Sequence, residues 1–401
     1  MKHSISHKPK AIWLITGGAM QRPVAERIKE WGYTLILSDG SDQCAIKNMA
    51  DEFLHVDIFD IKKNIAAAGE LKKRYDICAV FTSGSDCHET VAEVARYLGL
   101  PGIDPAISHA CRYKHETREI FTHEGIPQPK FQKVNSYSEA KKALQDIGLP
   151  VAIKSTNNAG SRGFTPIHKE SDFTKEVFDY AVKYGTTASA IIEELLLPVI
   201  DEIAEQSVET LWYEGKMYWL NWVDRMFRDD MKLFPKFDAE VYQNVSWAVE
   251  IGHLNPAVHT IETTAAVQKM TEQAGRALGM HKQKGGHILK HDIMLTQKGP
   301  RILESTPRLS GGWDSSGSTL MRGADFIGGA LHLALGKPLT PESFYKYFTY
   351  KFSNAYVAML SEIPKNAKDS IGRRFAFDHG RDPHEAVERA YAKVMKREFI
   401  A

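Results

Sequence analysis

Four short apolar runs alternate with helix-length segments through the first quarter of the chain and leave few folds open to it. Ala11-Ile-Trp-Leu-Ile-Thr16 ends in Gly17-Gly18 and leads into a helix that runs to about Trp31. Residues 34–39, 52–57 and 77–82 repeat the apolar pattern, and helices alternate with them, including residues 89–98. Strand and helix in alternation at this spacing is the pattern of a parallel sheet with crossover connections. Residues 1–110 are therefore expected to form a Rossmann-like α/β unit. The Gly17-Gly18 turn lacks the Gly-x-Gly-x-x-Gly spacing of a dinucleotide fingerprint. It reads either as a tight strand-to-helix turn or as a helix N-terminus offered to an anionic substrate group.

The remainder of the chain mixes its elements differently. A helix carrying Tyr113-Lys114-His115 precedes a stiff break at Gly125-Ile-Pro-Gln-Pro129. Strands are expected at 151–154 and 190–196, a helix at 171–184, paired antiparallel strands at 205–212 and 216–223, and a long helix at 260–278. The segment Asn221 to Arg228 reads as a substrate-covering element, and residues from Lys365 onward as charged and helical, within a helical extension over 336–401. The whole is α/β followed by α+β. At 401 residues the chain has room for two to three packed units. A formal net charge of +1 gives no electrostatic footprint for nucleic acid or an anionic membrane. No apolar run reaches transmembrane length, and the polar start leads into a strand, not a signal-peptide core. The four cysteines are scattered without a Cys-x-x-Cys pair, which suits a reducing cytoplasm.

The chemistry-bearing residues cluster in a few places. Residues 289–296 and 301–304 read as the strands of a hairpin with Gln297-Lys298-Gly299-Pro300 as its turn, so Asp292 and Glu304 are expected side by side on one face. Two anionic groups at that range repel unless a cation lies between them, as Mg²⁺ does when it bridges nucleotide phosphates. The alternative is a solvated hairpin with scattered charges. Arg308, just past the second acid, offers a planar fork for a phosphoryl or carboxylate oxygen. Lys154 ends an apolar strand before the loop Asn157-Asn-Ala-Gly160-Ser161-Arg162-Gly163-Phe164. Small residues there let backbone amides converge on phosphate oxygens, although such a loop alone is more often a surface turn. Glu193-Glu194-Leu195-Leu196 ends a further apolar strand. It can present its backbone to a purine edge, or carry plain strand-end charges. Asp86 and His88 lie at a strand's C-terminal end, where open parallel sheets meet ligands. Gly311-Gly312-Trp313 belongs to a small-residue run that reads as an acceptor-site loop with Trp313 as one wall, or as a surface loop. No Ser/His/Asp or Cys/His nucleophile set stands out.

In this order and spacing, these parts resemble the ATP-grasp superfamily of carboxylate–amine and carboxylate–thiol ligases, in the arrangement of carbamoyl-phosphate synthase large chains and biotin carboxylase. The likeness covers about residues 11–335. It implies a Rossmann-like pre-ATP-grasp domain, then a two-lobed ATP-grasp domain with lobes at 111–190 and 191–335, and a homodimer. It implies ATP and Mg²⁺ as cofactors and a small-molecule carboxylate and amine as substrates. Lys114 and Lys154 would touch the phosphates under the Gly160–Gly163 loop, which includes Ser161 and Arg162. Glu193, Glu194, Leu195 and Leu196 would form the adenine hinge, and Glu205 would bind ribose. Asp292 and Glu304 would hold Mg²⁺, and Arg308 would meet the phosphoryl or acyl-phosphate oxygens. Where the family commonly has an asparagine, this chain has Thr306, which offers a hydroxyl oxygen instead. Two alternatives stay open: carboxylation through carboxyphosphate, and a nucleotide-binding module without catalysis.

Overall fold

Alternate residues of the first strand disappear under different helices, as a strand covered on both sides requires. The computed structural model describes residues 8–158, 162–234, 236–237, 239–246, 248–363 and 373–400. In it, β1 (Lys10–Ile15), α1 (Arg22–Glu30), β2 (Thr34–Asp39), β3 (Glu52–His55), α2 (Ile61–Arg74), β4 (Asp76–Phe81) and α3 (His88–Leu98) form a four-stranded sheet ordered β3-β2-β1-β4. All of its pairings are parallel. Ile12 and Leu14 pack with Val24 and Ile28 of α1, whereas Trp13 and Ile15 pack with Leu71 of α2 and Val94 of α3. In the Gly17-Gly18 turn the Gly17 N–H is already committed, donating to Asp39 Oδ2 at 2.7 Å, which favours the tight-turn reading.

Two helices, α4 (Pro105–Arg112) and α5 (Lys114–His123), lead into a second sheet. It is built from β5 (Phe131–Val134), α6 (Tyr137–Ile147), β6 (Val151–Ser155), β7 (Thr165–Ile167), α7 (Lys175–Lys183) and β8 (Ala190–Glu194), with antiparallel strands ordered β5-β8-β6-β7. Val151, Ile153 and Ile192 bury one face against α6 and α7, which leaves Ala152, Lys154 and Glu193 on the other. β8 lies wholly within this sheet, so the lobe boundary expected at residue 190 falls inside a strand and is corrected to a point beyond Glu194.

The rest of the chain forms one seven-stranded sheet. Its elements are β9 (Glu205–Tyr213), β10 (Lys216–Met226), β11 (Gly252–Asn255), α8 (Ile261–Ala277), β12 (Gly286–Thr296), β13 (Gly299–Thr306), α9 (Thr319–Met321), α10 (Phe326–Ala334), α11 (Pro341–Phe348), β14 (Tyr356–Glu362), β15 (Arg374–Gly380) and α12 (Pro383–Lys396). The strand order is β13-β12-β9-β10-β11-β14-β15. Val267, Met270 and Ala274 of α8 pack on Trp212, Leu289, Ile293 and Ile302 across one face. Two expectations are corrected. Asn221 to Arg225 are not a cover but part of β10, paired with β9 throughout and with β11 from Asp224 onward. The described residues of 336–401 are not a helical extension, because β14 pairs with β11 and β15 with β14. Val357 to Leu360 are buried on both faces, so the run carries no period-two signal.

A buried polar clamp fixes the entry to α8. The His259 ring lies 4.8 Å from Trp222, centroid to centroid, and is bonded at both nitrogens: Nδ1 to Glu202 at 2.6 Å and Nε2 to Asp224 at 2.7 Å. Burial alone would lower the imidazole, but the two carboxylates raise it above its ordinary 6.5. Burial raises the Asp224 carboxyl as well; with an acceptor at each ring nitrogen, the ring is the better holder of the proton. A raised folded value means that the clamp stabilises fully below pH 6.5 and fades as pH rises through the folded value. His259→Gln should therefore lose stability most at acidic pH, leaving a flatter urea-midpoint profile above pH 6.5 than the parent.

Candidate active site

Residues two apart on a strand share a face, and four neighbouring strands turn such pairs toward one cavity. Lys290, Asp292 and Met294 come from β12, Glu304 and Thr306 from β13, Glu205 and Ser207 from β9, and Val223 and Arg225 from β10. Lys114, Ala152, Lys154 and Glu193 close it from the side of the smaller sheet, giving a volume of about 460 Å³, the size of a small-molecule site.

Asp292 and Glu304 stand directly opposite each other in the β12–β13 register, with an irregularity immediately after them. The tip of the hairpin is shorter than expected. Only Gln297 and Lys298 form it, because Gly299 takes φ 91° and Pro300 already pairs with Leu295. Proline is tolerated there since β13 is an edge strand. Cations hold both acids: Lys290 Nζ is 2.5 Å from Asp292 Oδ1, and Lys114 Nζ is 2.8 Å from Glu304 Oε1. Burial would raise the Asp292 carboxyl, but Lys290 and Arg225 hold it below its ordinary value. The Thr306 hydroxyl is buried and has no hydrogen-bond partner among the described residues. A buried oxygen left unpaired costs about 1–3 kcal/mol, which a ligand would relieve. Two carboxylates and a hydroxyl on one face are hard oxygen donors, so the set fits Mg²⁺. Among the described residues, no group of three or more His, Cys, Asp and Glu could hold a metal, so ligand oxygens would have to complete the shell.

Arg225 lies at the centre of the acidic wall. It pairs with Glu205, with Glu250 at 2.9 Å and with Asp292 at 3.5 Å. Burial, helped by Asp292 and Glu250, pushes the Glu205 carboxyl up to about 7 against the pull of Arg225. On the opposite wall, Lys154 Nζ is 2.5 Å from Glu193 Oε2, and Arg118 Nε is 2.9 Å from Glu193 Oε1. Arg118 also donates to the Ile302 and Leu303 carbonyls at 2.7 Å, tying α5 to β8 and β13. Glu194, Leu195 and Leu196 all border the cavity. The Glu194 N–H is already given to the Lys130 carbonyl and the Leu195 N–H to Pro150, so those two amides are committed within the lobe.

The other expected residues divide. Arg162 borders the cavity, and Gly163 sits at φ 75° against Ala181 and Tyr184; Gly160 and Ser161 lie outside the described residues. Arg308 borders the cavity and is held by Asp86 at 2.7 Å, so Asp86 serves the arginine and does not itself line the site. Burial would raise the Asp86 carboxyl; Arg308 holds it well below the carboxylate range. His88 is buried away from this cavity, and burial lowers it to about 3, leaving a neutral ring. Gly311 and Gly312 border the cavity, but Trp313 leans on Phe375 and Phe377 at 6.1 and 6.5 Å instead of forming its wall. Sequence reasoning passed over Arg118, Lys290 and Arg225. Two of these carried a signal: Arg118 is one helical turn past Lys114, and Lys290 is two strand positions before Asp292.

The parallel unit, the small sheet with Lys154 and the large sheet with its acid pair together make the ATP-grasp fold, as the resemblance implied. An L-amino acid ligase from Bacillus licheniformis superposes with a TM-score of 0.73 at 18% identity, covering 98% of each chain. N5-carboxyaminoimidazole synthetase from Staphylococcus aureus, complexed with ADP, does so at 0.70 and 15% identity, covering 96% of this chain and 97% of that one. In sequence, alanine–anticapsin ligase of Bacillus amyloliquefaciens is 23% identical over 241 residues, 59% of this chain and 49% of the relative. The chain spans about half the length of the curated relatives it first matches. No protein-family model matches it. No helix among the described residues is long and apolar enough to cross a membrane.

Proposed function

We propose that the chain is an ATP- and Mg²⁺-dependent ligase that activates a small carboxylate as an acyl phosphate and joins it to an amine, with amino acids as the first candidates. One observation carries this reading: Asp292, Glu304 and the Thr306 hydroxyl, unpartnered among the described residues, share a sheet face in one cavity that Lys114 and Lys154 also line. The names of an amino acid ligase and an alanine ligase among its relatives support the amine half.

A carboxylate is a poor electrophile, so its oxygen must first take the γ-phosphoryl group, and the amine nitrogen then displaces phosphate. Asp292, Glu304 and Thr306 would hold Mg²⁺, which would supply charge neutralisation on the phosphates. Lys114 and Lys154 would exchange their carboxylate partners for phosphate oxygens, with Arg162 bordering the same cavity. Arg308, oriented by Asp86, presents its guanidinium to the acyl-phosphate oxygens. Leu196 and the hinge carbonyls meet the purine, since the Glu194 and Leu195 amides are engaged, and Glu205 accepts from ribose. The free cysteines suit a cytoplasmic enzyme, and light scattering tests the homodimer.

Phosphate release from MgATP with panels of carboxylates, amines and bicarbonate decides the reading. Turnover that needs a carboxylate and an amine together is the expected result. Turnover with bicarbonate alone would make the chain a carboxylase, and no turnover despite ATP binding would make it a nucleotide-binding module. Lys154→Ala should weaken ATP binding at least about tenfold by calorimetry, the scale of one charge-assisted contact to phosphate.

A further inference from the structure

Behind the Gly311-Gly312 bend, two carboxylates are buried without a cation to balance them. Glu209 on β9 is fully buried and accepts from the Ser310 N–H at 2.7 Å, the Ser315 hydroxyl at 2.6 Å and the Asn221 amide at 2.9 Å. Asp314 accepts from the same Asn221 amide at 3.1 Å, from Asn255 at 3.2 Å and from the Ser318 hydroxyl at 3.0 Å. One side-chain amide therefore spans both acids. Among the described residues, neither acid makes an ion pair with a lysine, arginine or histidine. The nearby Arg322 is turned elsewhere: it donates to Asn255 Oδ1 at 2.7 Å and lies 4.0 Å over the Tyr350 ring. His253 reaches the cluster only through Ser318, at 3.1 Å, and burial lowers its ring to about 4, so it brings no charge. Tyr350 is occupied with Asn221 Oδ1 at 2.7 Å, and burial raises its phenol.

Two carboxylates placed in this way cannot both ionise cheaply, so the pair holds a proton at rest. Burial first, and then the charge of Glu209, pushes the Asp314 carboxyl up to about 8. Of the two acids, Asp314 borders the main cavity, beside Gly311, Gly312 and His253.

We propose that Asp314, backed by Glu209, is the base that takes a proton from the amine substrate. The proposal rests on the ligase reading above and adds to it a residue for a step that reading leaves unassigned. An amino acid arrives as an ammonium ion with no lone pair to attack. Asp314 first gives its resting proton to water, and one N–H bond of the ammonium then breaks as an O–H bond forms on the ionised carboxylate. The freed lone pair forms the C–N bond, and the acyl carbon–oxygen bond breaks with its electron pair leaving on phosphate. A second N–H bond breaks as the amide forms, and its proton goes to the departing phosphate. The sum is acyl phosphate plus ammonium giving amide, hydrogen phosphate and one proton, which passes through Asp314 to water. A base is most effective when its affinity for protons approaches that of the group it serves, and an ordinary carboxylate lies far too low for an ammonium. Burial next to a second acid closes that gap.

The test uses the full chain with MgATP and the standard amino acids as carboxylates. Amide formation with an amino acid is compared with hydroxamate formation from hydroxylamine, an amine weak enough to arrive as the free base. Asp314→Asn should lower amide formation at least about 100-fold while hydroxamate formation stays within about threefold. Glu209→Gln removes the charge that lifts Asp314, so the acid limb of amide formation should move to lower pH by about one unit with the KM for ATP unchanged. This second variant relieves a repulsion and is expected to fold even where Asp314→Asn does not. Equal loss of both products in Asp314→Asn, or an unmoved acid limb in Glu209→Gln, overturns the role of Asp314 while leaving the ligase reading intact. A parent protein that turns over no ATP overturns both.

Discussion

Glu304→Gln is expected to cost about three orders of magnitude in kcat, some 4 kcal/mol of transition-state stabilisation, while ATP affinity changes less than about tenfold. The asymmetry follows from where the residue sits. Glu304 is on an edge strand at the cavity wall, its partner Lys114 keeps a second acceptor in the Asn158 carbonyl at 2.9 Å, and the glutamine fills the same space. Folding should therefore be nearly untouched. The lost property is an anionic oxygen facing Asp292, on which the second hard donor of the proposed metal site depends. In the proposed site, binding of ATP would draw on Lys114, Lys154 and the hinge as well, whereas moving its γ-phosphoryl group would require the charge to be neutralised in place. Single-turnover phosphate release set beside calorimetric ATP binding separates the two, and an unchanged rate would remove Glu304 from the chemistry.

Arg118→Ala should act on the fold instead, destabilising it by about 3–5 kcal/mol, the scale for removing one partner of a buried ion pair. Arg118 is 2% exposed and satisfies Glu193 and two backbone carbonyls from another part of the chain. Truncation leaves Glu193 with Lys154 alone and takes the donor from the Ile302 and Leu303 carbonyls, one of them buried. Burial would raise the Glu193 carboxyl, but Arg118 and Lys154 bring it down to about 2. A depressed carboxyl stabilises above its ordinary 4.5, and that contribution is lost as pH falls toward 2. The urea midpoint should consequently fall sharply at pH 7, with a smaller difference from the parent near pH 3. Equal midpoints at pH 7 would show that the strap carries no load.

These two residues also mark what could be read from the chain. Glu304 was legible because its hairpin announces itself: an apolar alternation, a Gly-Pro turn and an acid on each arm fix which side chains meet. The parallel sheet was legible for a similar reason, since strands and helices recur at crossover spacing. Arg118 was not, because its partners lie 75 and about 185 positions away and only the packed fold joins them. β14 escaped notice because a strand covered on both faces shows no alternation. Trp313 was misplaced because its backbone turns left-handed, at φ 67°, sending the ring toward Phe375 and Phe377. The Glu209–Asp314 pair gave no motif at all, since its members come from one strand and one distant loop.

The Gly311-Gly312 bend that borders the cavity is backed by Gly84, just past β4 of the parallel unit, and this bears on how such a protein can change. A side-chain carbon on Gly84 would lie 2.9 Å from the Gly311 Cα, and one on Gly311 would lie 3.0 Å from the Gly84 carbonyl. The two bends are flush, backbone on backbone, with nothing between them to yield. The parallel unit thus acts as a spacer gauge for the loop that borders the cavity. Widening that loop's reach need not begin in the loop: a methyl at residue 84, at the cost of strain at its φ of 64°, would push Gly311 and the rim from outside the pocket without changing the identity of any lining residue.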